Sequence, residues 1–192
     1  MELIFGTQND NKVEEIIKLL PPNFLVKSLS DLNFETEIEE SGATLEENAL
    51  IKARVIFNTF KKDCFADDSG LEVNVLSGKP GVYSARYAGN QKNAQNNMDK
   101  LLYDLRNEED RKAQFRTVIA LILNGSEYLF EGVVKGEIIY IQRGEKGFGY
   151  DPIFAPEKNG LTFAQMSLSQ KNKISHRSKA FQKLVQFLKS KI

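Results

Sequence analysis

At 192 residues the chain suits one domain, or one domain with a small lobe, and can bury one substantial core. Its 26 basic and 26 acidic side chains cancel, so no global field draws it to DNA, RNA or a membrane surface, and any phosphate binding has to be local. The single cysteine, Cys64, excludes a disulfide within the chain; its apolar neighbourhood predicts a buried thiol, and a reducing, cytoplasmic setting fits. The apolar stretch at the N-terminus is too short for a secretory signal and no apolar run is long enough to span a bilayer, so a soluble, untargeted protein is expected.

Residues 3–5 form a short apolar run closed by Gly6, and Val13, Ile16, Ile17 and Leu20 then recur at helical spacing until Pro21 and Pro22: strand, polar loop, helix. Thr44 and Glu47 have capping-box spacing, and Ala49, Ala53, Ile56, Phe57 and Phe60 give the helix they open its buried stripe. Residues 64–66 read as a buried strand ending at Asp67-Asp68-Ser69-Gly70, with Leu71, Val73 and Val75 alternating beyond it. A third helix carries Ala94, Met98, Leu101, Leu102 and Leu105 and leads into the charged connection 106–111, which together read as a solvent-facing lobe. Residues 115–123, the turn Asn124-Gly125 and a partner strand through Phe130 toward Val134 predict an antiparallel hairpin. A glycine-rich loop over 143–151 precedes the last helix, which shows Phe181, Leu184, Val185 and Leu188 on one face. Helices alternating with strands, plus the hairpin, give an α/β fold with a mixed sheet whose strand order the pattern does not fix.

Several of these segments carry chemistry. Thr7-Gln8-Asn9-Asp10-Asn11-Lys12 lies between strand and helix, where free N–H groups and the helix dipole favour an anion such as phosphate. A polar capping turn explains the same residues, except that Lys12 in the first turn opposes the dipole unless an anion is near. The Walker spacing is absent. Glu40 closes an acidic run with Glu35, Glu37 and Glu39, which by itself reads as a solvated loop. Asn48 and Lys52 share a helix face and would let a lysine reach a ligand near the helix start, although a surface lysine is the plainer explanation.

Asp67 and Asp68 are costly at the end of a buried strand unless they hold a metal or find donors. Alternation sends them to opposite faces, so one can activate water or hold Mg²⁺ while the other secures nearby backbone groups. The competing reading is an Asx-type turn with Gly70 in a special conformation. Phe148-Gly149-Tyr150-Asp151 joins flexible backbone, two aromatics and a carboxylate, which suits stacking on a planar base, or an aromatic plug under a loop. Lys171, the only histidine, His176, and Arg177 fall in a polar segment leading into the last helix. Arginine offers forked donors to keto oxygens or phosphate, and a lone histidine there is as readily a local hydrogen-bonding residue. A nucleotide- or RNA-binding module could use the same aromatics and lysines, but zero net charge and the paired carboxylates count against it.

Taken in order, TQNDNK, ESGATLEENALIKAR, ADDSGL, PGVYSARYAG, GFGYDPIF and SHR resemble the inosine triphosphate pyrophosphatase family of non-canonical purine NTP pyrophosphatases over nearly the whole chain. The resemblance implies a single domain over residues 1–192, with an elongated, twisted mixed β-sheet flanked by helices, two lobes with the active-site cleft between them, and a homodimer. It implies Mg²⁺-dependent hydrolysis of ITP, dITP and XTP to the monophosphate and pyrophosphate, removing them from the nucleotide pool, with neither a nucleic-acid polymer nor a membrane as partner. By the same resemblance Thr7, Gln8, Asn9, Asp10, Asn11 and Lys12 cradle the triphosphate, Lys52 adds positive charge, and Glu40 and Asp68 hold Mg²⁺. Asp68 is also the proton acceptor and Ser69 a substrate contact, while Phe148, Gly149, Tyr150, Asp151, Lys171, His176 and Arg177 surround the base and sugar. Gln8 departs from the glycine common in the family, and Asn11 stands at a variable position, which bears on affinity rather than on reaction type.

Overall fold

The computed structural model describes residues 1–17, 19, 21 and 24–191. Strand β1 (Glu2–Phe5) feeds helix α1 (Asp10–Ile17), and β2 (Leu25–Ser28) returns parallel to β1 in the register Glu2↔Leu25 to Phe5↔Ser28. Leu20 and Pro22, expected at the end of α1, lie outside the described residues. Helix α2 (Leu45–Phe60) starts where predicted, with the Thr44 and Glu47 side chains capping each other's backbone N–H groups. Beyond it come β3 (Cys64–Val73), the short β4 (Pro80–Gly81), α3 (Ala94–Asp104), β5 (Lys112–Leu123), β6 (Ser126–Ile138), β7 (Phe154–Pro156), α4 (Leu168–Ile174) and α5 (His176–Lys189).

The strands form one mixed sheet in the order β2-β1-β3-β5-β6-β7, with β4 added antiparallel to β3. β3 pairs parallel to β1 through Ile4↔Cys64 and Phe5↔Phe65, and the rings of Phe5 and Phe65 stack at 4.6 Å. β5 and β6 flank the two-residue turn Asn124-Gly125, where both residues take positive φ, as the hairpin reading requires. β7 closes the order antiparallel to β6. The α/β class and the mixed sheet expected from the sequence are thus present.

Two expectations are corrected. The acidic pair does not end a strand: β3 runs unbroken from Cys64 to Val73, buried on both faces except at Ser69 and Glu72, while Val75 sits in a short 3₁₀ turn after it. Asp67 and Asp68 therefore lie mid-strand, and the Asx-turn reading fails. Helix α4 was not foreseen; it is a two-turn helix opened by a capping box of Ser167 with Gln170.

By contacts the chain divides into two compact units. The first comprises residues 1–68, 117–132 and 177–192, and its core packs Leu3, Phe5, Ile16, Phe65, Leu121, Phe181, Leu184 and Leu188. The second comprises residues 69–116 and 133–176, around Leu71, Val73, Met98, Leu101, Phe115, Phe154, Phe163 and Met166. Cys64 is wholly buried, its Sγ 3.3 Å from the Ala53 carbonyl, and burial pushes its thiol up to about 12. No described helix is long and apolar enough to cross a membrane.

Candidate active site

In the first unit the alternation of β3 gives its two aspartates different partners. Asp68 accepts from Lys52 Nζ on Oδ1 at 3.2 Å and from Asn48 Nδ2 on Oδ2 at 3.2 Å. The same Lys52 ammonium lies 2.5 Å from Glu40 Oε1. Asn48 and Lys52 are one helical turn apart on the face α2 buries, at 0% and 8% exposure, so Lys52 is no surface lysine.

Glu40 reaches this cluster because the loop after it is tacked to α2. The Gly42 N–H donates to Asn48 Oδ1 at 2.8 Å, and the Ala43 N–H to the Glu47 carboxylate at 2.6 Å. A Cβ at Gly42 would stand 2.6 Å from Glu47 Cβ and 2.7 Å from Asn48 Oδ1, so only glycine lets the loop lie this close. The acidic run is therefore anchored at its end rather than freely solvated. Burial raises the Asp68 carboxyl above its usual range; Lys52 and Lys12 oppose that shift, while Glu40 and Asp67 add to it. Burial by itself would lower Lys52, but Asp68 and Glu40 hold it above the ordinary lysine value.

Asp67 points the other way and takes two side-chain cations. Lys12 Nζ is 2.8 Å from Asp67 Oδ2 and Arg177 Nε is 3.6 Å from the same oxygen, while Arg177 Nη1 also pairs with Glu15. Lys12 and Arg177 both stand in the first turn of a helix, α1 and α5, where the dipole disfavours a cation. Asp67 and Glu15 supply the compensating charge. Burial would raise Asp67, yet Lys12, Arg177 and Lys52 together hold its carboxyl well below the usual range. Burial pulls Lys12 below its ordinary value, with Asp67 opposing and Lys52 and Arg177 reinforcing the shift.

The predicted phosphate segment splits between loop and helix. Asn9 caps α1, its Oδ1 accepting from the Lys12 N–H at 3.3 Å, and Thr7 Oγ1 accepts from the Asn9 N–H at 3.2 Å. Asp10, Asn11 and Lys12 form the first helical turn. Gln8 uses its side-chain amide on the Phe34 and Thr36 carbonyls at 3.3 Å each, so it pins the start of the acidic loop, a task glycine could not perform.

The second unit gathers the remaining predicted residues. Asp151, 2% exposed, accepts on Oδ2 from the Phe148 N–H at 2.9 Å and from Lys171 Nζ at 2.6 Å. That ammonium also lies 5.0 Å from the centre of the Phe148 ring. Gly147 has φ 75°, and a Cβ there would meet Asp151 Oδ2 at 2.0 Å, so the turn that aims the Phe148 N–H at Asp151 demands glycine. Gly149 is half-buried beside it. Tyr150 belongs to the core, its hydroxyl donating to the Ser84 carbonyl at 2.8 Å, while Phe148 is half-buried. His176 lies flat on Phe115, ring centres 4.6 Å apart and planes 10° from parallel. Ser69, partly exposed in β3, is the first residue of this unit.

Glu40 and Asp68 offer the hard oxygen donors that Mg²⁺ takes, and a cation, the Lys52 ammonium, already sits on one oxygen of each. Among the described residues no group of three or more histidine, cysteine or acidic side chains is arranged to hold a metal. Mg²⁺ is usually held by one or two carboxylates, with substrate phosphates and water completing its shell, so this donor pair fits the ion.

Residues that the sequence passed over also enter the cluster. Glu15, buried at 4% exposure, pairs with Arg177, which is 162 positions away and leaves no local trace.

The Ham1 family model matches residues 3–187. A dITP/XTP pyrophosphatase of Christiangramia forsetii is 53% identical over 188 residues, 98% of this chain and 99% of that one. The dITP/XTP pyrophosphatase of Bacillus subtilis is 46% identical over 193 residues, 98% of each. Among solved structures, the Staphylococcus aureus Ham1 protein covers 100% of both chains with a TM-score of 0.91 at 42% identity, and a HAM1 protein from Coxiella burnetii covers 99% of both with 0.91 at 37%. The resemblance carried by the six sequence blocks is thereby borne out along the chain.

Proposed function

The chain belongs to the Ham1 family, and we propose that it hydrolyses the non-canonical purine nucleoside triphosphates ITP, dITP and XTP to the monophosphate and pyrophosphate, using Mg²⁺. The observation that carries this reading is the mid-strand carboxylate pair, each member tied to a different lysine: Asp68 to Lys52 and Asp67 to Lys12. Such a cluster offers positive charge to phosphate and carboxylate oxygen to a metal and to water.

Thr7, Gln8, Asn9, Asp10, Asn11 and Lys12 take the triphosphate at the start of α1, where the dipole and N–H groups favour anions. Lys52 adds charge, and Glu40 and Asp68 are the metal ligands. Bound there, Mg²⁺ would neutralise negative charge on the triphosphate oxygens. Asp68 orients a water for in-line attack on the α-phosphorus and accepts its proton; contact with a divalent cation lowers a carboxylate's basicity, so orienting the water is the larger part of its role. No covalent nucleophile is required.

Ser69 is a substrate contact, and Phe148, Gly149, Tyr150, Asp151, Lys171, His176 and Arg177 are assigned to the base and sugar, with Phe148 stacking, Tyr150 and Asp151 acting as the frame, and Arg177 donating to the 6-keto oxygen that adenine lacks. The working assembly is a homodimer, which light scattering at several protein concentrations would check.

The deciding assay is pyrophosphate release from ITP with Mg²⁺. Asp68→Asn is expected to lower kcat by about 10²–10⁴-fold while nucleotide binding stays measurable. Substantial retained turnover removes Asp68 from the reaction. Equal kcat/KM for the inosine, xanthosine, guanosine and adenosine triphosphates would sink the selectivity.

A further inference from the structure

One ammonium stands between the two carboxylates assigned above to Mg²⁺: Lys52 Nζ is 2.5 Å from Glu40 Oε1 and 3.2 Å from Asp68 Oδ1. Mg²⁺ takes oxygen ligands at about 2.1 Å. It cannot bind those same two oxygens while the ammonium keeps both bonds, because two cations would then share a few ångströms of a partly buried space. Asp68 is not left loose when Lys52 departs. Its other oxygen stays with Asn48, which the Gly42 N–H holds in turn. Lys12 is in a different position, since its partner Asp67 faces the other side of β3 and is outside the proposed ligand pair.

We propose that Lys52 is a resident counter-cation: in the metal-free protein it holds Glu40 and Asp68 together, and it releases both when the metal binds, which frees its ammonium for the triphosphate. The proposal rests on the assignment of Mg²⁺ to Glu40 and Asp68. Lys52 thereby sets the metal affinity of the nucleotide-free protein and couples metal entry to phosphate capture, because the ammonium displaced by the one is the donor needed by the other.

The test is a titration of the whole, nucleotide-free protein with Mn²⁺, followed by the electron paramagnetic resonance of the free ion. Lys52→Gln, which keeps a hydrogen-bonding side chain but no charge, is expected to bind Mn²⁺ about tenfold tighter than wild type, and Lys52→Arg, which keeps the charge, to stay within about twofold. Adding Glu40→Gln to Lys52→Gln should abolish the gain. Equal affinities for wild type and Lys52→Gln, both lost on Glu40→Gln, overturn the counter-cation and leave the metal assignment standing. A gain that survives Glu40→Gln overturns both, and absence of Mn²⁺ binding in every variant overturns the counter-cation.

Should Lys52→Gln fail to fold, wild-type protein labelled with ¹⁵N at its lysine side chains answers the same question. The Lys52 ammonium resonance, identified by its absence from Lys52→Arg, is expected to shift when Mg²⁺ saturates the protein. A resonance that saturating Mg²⁺ leaves in place overturns the proposal.

Discussion

Asp67 shows why a buried charge is worth following through its partners. Asp67→Asn would leave Lys12 and Arg177 at helix starts without its compensating charge, and breaking a buried pair in this way costs about 3–5 kcal/mol. Urea unfolding at pH 7 is expected to show a loss of that size. Because the folded carboxyl is held below its unfolded value, its stabilisation is present above about pH 4 and is lost as pH falls through the folded value. The gap between wild type and Asp67→Asn should therefore close on acidification, and a gap that is constant from pH 7 to pH 3 would refute the charge argument. At the other residue-scale constraint, Gly147→Ala forces a Cβ onto Asp151 Oδ2 and detaches the Phe148 N–H. It is expected to raise KM for ITP more than it lowers kcat; a pure kcat effect would contradict a positioning role for this turn.

At the scale of elements, what is local was legible and what is long-range was not. Helix α2 could be read because its capping box and apolar stripe lie within its own seventeen residues, Thr44 included. Thr44→Ala should accordingly cost about 1 kcal/mol of unfolding free energy, and no measurable change in the denaturation midpoint would mean that the cap contributes nothing. Strand β3 was misread because Asp-Asp-Ser-Gly has the composition of a turn. Its polar side chains are tolerated mid-strand through Lys12, Asn48, Lys52 and Arg177, residues far away in the chain. Helix α4 did leave a signal, the Ser167-x-x-Gln170 box, but so short a helix offers little periodicity to support it. The candidate site followed the same division. Lys12, Asp68 and the Phe148 turn could be picked out from local chemistry, whereas the pairing of Lys52 with Glu40 and of Glu15 with Arg177 required the fold.

For the molecule as a whole, alternating helices and strands plus one Asn-Gly turn were enough to give the class, because the hairpin excludes an all-parallel sheet. Strand order needed pairings such as Ile4↔Cys64, which bring together segments some sixty residues apart that no periodicity relates. The whole-molecule prediction concerns Cys64. With a folded thiol pushed up to about 12, ionisation in the unfolded chain above its ordinary value of 9.0 is not matched in the folded one, so stability should fall as pH rises from about 9 toward 12. At pH 8 an aromatic disulfide reagent is expected to leave the native thiol unmodified over the time in which the denatured chain reacts completely; rapid labelling of native protein would show that the site opens locally.

The sealed thiol has a consequence for the protein's lifetime. As the only cysteine in the chain, Cys64 meets a soluble oxidant or electrophile chiefly during excursions that expose β3. Chemical damage at that one atom therefore works as an hourglass: the modified fraction in an ageing sample tallies past openings, while protein that has stayed folded carries no mark.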